Sequence, residues 1–292
     1  MCGAVSSSTL SSGMFSNVSI IIPVYNGGPT LELCLESLRH SQTKPFECIV
    51  VDDGSTDNSR QVIETFIQND PRFKLIGVGN SGVSAARNTA VAHSKGAFIF
   101  PLDADDKMHP DCLKRCMAEF VKAPDTRLVY PEVELFGAEN CRWNLPAFDY
   151  KTMLKYNMVD NGSLFLRKDF DRVGGYRTNM IYGLEDWDFF IALLHGCRNE
   201  QVIKIKEPLY YYRVNQTGRR LTVAASGRQK EMLDLMVYNN FSIYKEYFPE
   251  IFSRIHAYDF DKTMLNKPSV KVLVKTLIRL SALKKTIFGT AN

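Results

Sequence analysis

The feature that most constrains this chain is the rhythm of its first hundred residues. Residues 19–24 (SIIIPV) are an apolar, β-branched run, and the turn Asn26-Gly27-Gly28-Pro29 follows. Residues 30–41 then place Leu31, Leu35 and Leu38 at helical spacing. The alternation continues with a strand at 48–51, a helix carrying Val62, Ile63, Phe66 and Ile67, and a strand at 73–78. A helix at 83–93 and a strand at 97–102 complete it. Strands that are almost wholly apolar and separated by helices predict an α/β fold, with a mostly parallel sheet covered on both faces.

Such a sheet binds ligands beyond the carboxyl ends of its strands. Here three strand ends read Pro23-Val24-Tyr25-Asn26, Asp52-Asp53 and Asp103-Ala104-Asp105-Asp106, so one edge collects five carboxylates. Their repulsion predicts a cation, and hard oxygen ligands suit Mg²⁺ or Mn²⁺, which also take phosphate and water. Asp-rich turns serve as capping devices too, and Asp57 or Ser55 suits the N-cap of the next helix. Capping does not account for two adjacent carboxylates directly after Ile49-Val50-Val51. A carboxylate there can accept from the imide N–H of a pyrimidine base.

Three further segments carry chemistry. Residues 80–88 (NSGVSAARN) open a helix with small residues and put Arg87 in its second turn. A guanidinium there can meet phosphate bidentately, or the segment is simply a close helix–strand packing site. Glu185-Asp186-Trp187-Asp188 sets three acids at a helix start after Gly183. One or two of these suit the helix dipole, and another is a candidate general base. Tyr210-Tyr211-Tyr212-Arg213 is either a strand packed on the core or, with Arg219-Arg220, a cover for a diphosphate.

After residue 125 strict alternation stops. Strands are expected at 126–135 and 164–167, a helix at 186–195, an extended segment at 202–214, and helices from 227 onward. The organisation is thus a leader at 1–16, a main domain at 17–220 and a helical extension at 221–292.

Composition narrows the partners. The 292 residues carry a net +4, but the seven Lys and Arg from Lys262 onward face no acid, which leaves residues 1–261 at −3. A mildly acidic body with a basic end is not the pattern of a nucleic-acid binder. Seven cysteines without a C-x-x-C pair argue against a zinc site or disulfide framework and for a reducing compartment. The Ser-rich start lacks the basic and apolar regions of a secretory signal, and no run of eighteen apolar residues occurs. The expected location is the cytoplasm. In the tail, Lys267, Lys271, Lys275 and Arg279 form a basic stripe beside Val270, Leu273, Val274, Leu277 and Leu280. That pairing predicts peripheral contact with the inner face of an anionic membrane. The alternative is docking of this helix on the body, or on a partner in a homo-oligomer.

Taken together, SIIIPVYNGG, VVDDGSTDNS, NSGVSAARNTA, FIFPLDADD with Pro110-Asp111, and GLEDWDFF resemble family 2 of the inverting, nucleotide-sugar-dependent glycosyltransferases. They occur in that family's order and cover most of residues 17–214. The resemblance implies the GT-A fold and an acceptor in bacterial surface polysaccharide, lipopolysaccharide or capsule synthesis, either a glycan or a lipid-linked glycan. It also implies a UDP-sugar donor, with dTDP as the alternative. By position, Pro23 and Tyr25 would flank the base beside Asn26, and Asp53 would hydrogen-bond it. Arg87 and Arg213 would hold the nucleotide and its diphosphate. Asp103 would face ribose and metal, and Asp105 would be the main ligand of Mn²⁺ or Mg²⁺. Asp186, beside Glu185, would be the catalytic base. One departure is Asn215, which stands where many members have a metal-binding His.

The implied reaction is one in-line displacement with inversion, in which the acceptor hydroxyl loses its proton to Asp186. A sugar-phosphate nucleotidyltransferase would share the sheet and the Asp-x-Asp, but would need a cation in the first loop, where Asn26-Gly27-Gly28-Pro29 has none. An inactive nucleotide-sugar-binding protein is the other alternative, and the retained Asp105 and Asp186 argue against it.

Overall fold

The computed structural model describes residues 17–42, 47–215 and 227–249. The 1–16 leader and the basic tail lie outside the described residues. The predicted alternation is present: β1 (Val18–Val24), α1 (Gly28–Arg39), β2 (Glu47–Asp52), α2 (Ser59–Asn69), β3 (Phe73–Gly77), α3 (Val83–His93) and β4 (Phe98–Pro101). Every residue of β1 is buried, as covering both faces of a central strand requires. Helix α1 begins two residues earlier than expected, because Pro29 sits in its first turn, where a missing N–H costs nothing. Asp57 is not the formal cap of α2. Its carboxylate instead accepts from the backbone N–H of Ser59 and of Gly28, tying the starts of α1 and α2 together.

The second half holds β5 (Lys107–Met108), α4 (Cys112–Lys122), β6 (Leu128–Gly137), β7 (Arg142–Trp143), α5 (Tyr150–Met153), β8 (Leu164–Leu166), α6 (Arg167–Val173), α7 (Glu185–Leu193) and β9 (Val202–Val214). Helices α8 (Arg228–Asn239) and α9 (Phe241–Tyr247) follow. Among the described residues the nine strands form one sheet, ordered β3-β2-β1-β4-β8-β6-β9-β5, with β7 paired to β6. The β3-β2-β1-β4 half is parallel throughout, and β6 pairs with β9 in parallel. Strand β8 runs antiparallel to both β4 and β6, so β6 and β9 end at the same edge as β1, β2 and β4. The parallel expectation drawn from the first hundred residues therefore describes half of a mixed sheet. What it misses is the inserted β8 and the antiparallel β5 and β7.

The core is continuous across both halves. Ile20, Ile21, Ile49, Val50, Ile99 and Phe100 meet Leu128, Leu164 and Phe165 with no exposed surface. Each such side chain contributes about 1.5–3 kcal/mol when fully buried. The aromatic start of α7 joins it through Phe189, stacked on Tyr176 at 4.1 Å between ring centres. Helices α8 and α9 add Met232, Met236, Ile243 and Tyr244. The cysteines of the described residues are free thiols. Among these residues no helix is long and apolar enough to cross a membrane.

Candidate active site

Strand β4 ends at Pro101, and the chain then turns at 103–106, where the Asp106 N–H donates to the Asp103 carbonyl at 3.0 Å. The turn converges with three distant elements. Arg87, from α3 and only 2% exposed, donates to Asp103 Oδ1 at 2.7 Å and to Glu185 Oε1 at 3.1 Å. Its guanidinium lies 5.2 Å from the centre of the Tyr176 ring. The cation expected at a phosphate is thus occupied by two carboxylates, and it joins the first Asp of the Asp-x-Asp to the acids of α7. Asn161 donates to the same Asp103 oxygen at 3.0 Å.

The rest of the turn faces β9. Asp106 is 1% exposed and accepts from the Tyr210 hydroxyl and the Arg213 N–H, each at 2.7 Å. Burial, with Asp105 and Asp103 adding to it, holds its carboxyl well above the usual range. Burial and then the charge of Asp103 also raise Asp105. Asn215 donates to Asp105 Oδ2 at 3.1 Å, so three expected ligand positions, Asp103, Asp105 and Asn215, share one corner. Arg213 donates through Nε to the Asp105 carbonyl at 2.8 Å and stacks 4.4 Å from the centre of Phe136. Its Nη2 is buried and has no hydrogen-bond partner among the described residues.

Helix α7 supplies the acids on the other side. Leu184 enters it with φ of +62°, a left-handed conformation that an L side chain adopts only when its surroundings impose it. Partly buried Asp186 accepts from Asn157 Nδ2 at 3.3 Å and from the Trp187 N–H at 2.8 Å. Burial first, and next the Glu185 charge, push its carboxyl up to about 6, against the opposing pull of Arg87. Buried Asp160 lies close enough to feel both Asp186 and Asp103, and burial above all raises it to about 7.

The nucleotide-side positions sit at the ends of β1 and β2. Pro23 is buried in β1, whereas Tyr25 is 52% exposed just beyond it. Asn26 takes φ of +51°, and its side-chain oxygen accepts from the Thr56 N–H at 2.8 Å. Asp53 accepts from the Ser81 and Gly82 N–H groups at 2.7 and 2.8 Å, so it orders the loop that opens α3. Sequence reasoning counted Asp106 among the edge carboxylates without giving it a role, and missed Asp160, Asn161, Asn157 and Tyr176. The latter four carried no signal in the sequence.

Residues 19–183 match the model of glycosyl transferase family 2, more than half of the chain. The chain belongs to that family. Among curated relatives it is 30% identical over 183 residues to a chondroitin synthase of Pasteurella multocida. The match covers 60% of this chain and 18% of that synthase, so the chain spans under a fifth of its relative's length. Among solved structures it resembles S. aureus TarS 1-349 in complex with UDP, with a TM-score of 0.63 and 18% identity. That likeness covers 94% of this chain and 73% of the TarS 1-349 chain. A second neighbour is the mannosyltransferase PcManGT of Pyrobaculum calidifontis in complex with GDP-Man and Mn²⁺. Its TM-score is 0.57 at 18% identity, over 94% of this chain and 76% of that one. These likenesses show the GT-A fold.

The donor set in this family member fits a hard divalent cation. Asp103 and Asp105 repel each other in a partly buried corner, and the Asn215 amide N–H orients one Asp105 oxygen. Among the described residues no three Asp, Glu, His or Cys side chains converge to hold an ion alone. Substrate oxygens and water would have to complete the shell.

Proposed function

We propose that this chain transfers a sugar, with inversion, from a nucleotide-sugar donor of the UDP type to a hydroxyl of a glycan or lipid-linked glycan acceptor. The observation carrying the proposal is Asp186. It is a partly buried carboxylate held at about 6, across a shared cluster from the Asp-x-Asp turn. At neutral pH such a group is ionised yet more basic than an ordinary carboxylate, which suits removal of a proton from an attacking hydroxyl. The donor's base would lie between Tyr25 and the Asp53 loop. Its diphosphate would lie against Arg213, whose unpartnered Nη2 a phosphate oxygen would satisfy.

Asp105, with Asp103 and Asn215, would hold Mn²⁺ or Mg²⁺, which supplies charge neutralisation for the departing diphosphate when bound. Arg87 keeps Asp103 and Glu185 in place, and Asn157 fixes one oxygen of Asp186. Cytoplasmic location and membrane contact through the basic tail rest on the sequence alone.

The test is a panel of nucleotide sugars, with Mn²⁺ or EDTA, read as donor turnover with and without oligosaccharide acceptors. Asp186→Asn should lower kcat on the order of 100-fold with donor binding intact. An inactive Glu185→Gln beside an active Asp186→Asn would move the base to Glu185. No turnover of any nucleotide sugar would refute the reading.

A further inference from the structure

Asp188 lies two residues beyond Asp186 and has no exposed surface. Its carboxylate is enclosed by other elements. Arg177 Nη1 donates to Oδ2 at 2.8 Å, while Asn239 and Asn240 from the α8–α9 junction donate to Oδ1 at 3.2 and 2.9 Å. Arg177 also reaches Asn240 Oδ1 at 3.2 Å, which closes the network. A buried carboxylate paired with a partly exposed arginine adds little stability over an apolar replacement, so stability alone does not account for it.

Its location does. Helix α7 starts from the strained Leu184, and the Asp188 N–H closes the first turn on the Leu184 carbonyl at 2.9 Å. Such backbone holds only where the surroundings over-determine it. The same helix pair also grips the segment that leads to Asn157. Tyr244 donates to the Leu154 carbonyl at 3.0 Å, and the Tyr247 and Tyr150 ring centres are 5.2 Å apart. The α8–α9 pair therefore touches both pieces that meet at the Asp186–Asn157 contact.

We propose that Asp188 is a positioning residue through which α8 and α9 set the orientation of Asp186, so that residues 227–249 belong to the catalytic unit rather than to an appendage. This inference rests on the reading of Asp186 as the base.

The test is a swap in the full chain. Arg177 lies within reach of both partners, so Asp188→Asn with Asn240→Asp keeps one carboxylate beside it. Each single variant should lower kcat about tenfold or more with donor KM within about twofold, and the double variant should recover most of that loss. Tyr244→Phe keeps the ring and removes only the bond to Leu154. It should lower kcat a few-fold without changing donor KM, which keeps the test open if Asp188→Asn does not fold. Wild-type kcat in both Asp188→Asn and Tyr244→Phe, or a double variant no better than the singles, would overturn the proposal. A fully active Asp186→Asn together with a rescuing swap would instead refute the base assignment and leave the brace standing.

Discussion

Replacing Arg87 by Met tests the centre of the site, since Met approximates the length of the stem and removes the charge. Arg87 is 2% exposed and is the only cation bonded to both Asp103 and Glu185 among the described residues. Breaking a buried pair by removing one partner costs ~3–5 kcal/mol, and the 29% exposure of the Asp103 side chain favours the low end, about 3 kcal/mol. For a domain of this size that is roughly 6–12 °C in Tm. A second readout follows from Asp186. Its carboxyl stands at about 6 because burial and Glu185 raise it more than Arg87 lowers it. A base must be ionised, so wild-type kcat should fall as pH drops below about 6, approaching tenfold per pH unit. Without Arg87 that acid limb should move to higher pH. Thermal melting and kcat between pH 5 and 8 measure both effects. If Arg87→Met melts with wild type, keeps its acid limb and loses only donor affinity, Arg87 is a phosphate ligand and the linking role is wrong.

Three further outcomes are expected. A Cβ on Gly162 would lie 2.1 Å from a Tyr210 ring carbon, so Gly162→Ala should cost about 3 kcal/mol in chemical denaturation and break the Tyr210–Asp106 bond; an unchanged midpoint would refute that packing. Because Asp186 is raised when folded, its contribution to stability is fully present below the ordinary carboxylate range and is lost as pH rises through about 6. Asp186→Asn should flatten that part of the stability–pH curve, and parallel curves would count against the raised value. A chain ending at Asp261 should lose sedimentation with anionic liposomes at low salt, whereas equal sedimentation of both chains would refute membrane contact through the tail.

The local pattern of this chain determined a great deal. Runs such as Ser19-Ile20-Ile21-Ile22, short, β-branched and closed by a Gly-Pro turn, read as strands buried on both faces, and helical spacing between them favours parallel connections. Parallel connections bring successive carboxyl ends to one edge, so Asp52, Asp53, Asp103, Asp105 and Asp106 were legible as sharing that edge. Which of them meet was not, since Asp53 turns to the Ser81 and Gly82 N–H groups and no three acids converge among the described residues. The 13-residue extent of β9 was legible as well, because its aromatic and β-branched residues, with Pro208 inside the run, favour an extended segment.

Tertiary structure decided the partners. Arg87 and Glu185 stand 98 positions apart and Asp105 and Asn215 stand 110 apart, distances over which no periodicity in the sequence operates. A guanidinium looks the same in sequence whether it meets phosphate or carboxylate, and only burial between Asp103 and Glu185 separates the two. For the same reason Asp188 read as one more acid in a helix's first turn. Its enclosure by Arg177, Asn239 and Asn240 depends on α8 and α9 folding back onto α7. The mixed half of the sheet was equally hidden, because the three residues of β8 are too few to carry a period, and their place between β4 and β6 is set by which neighbours leave their backbone groups unpaired.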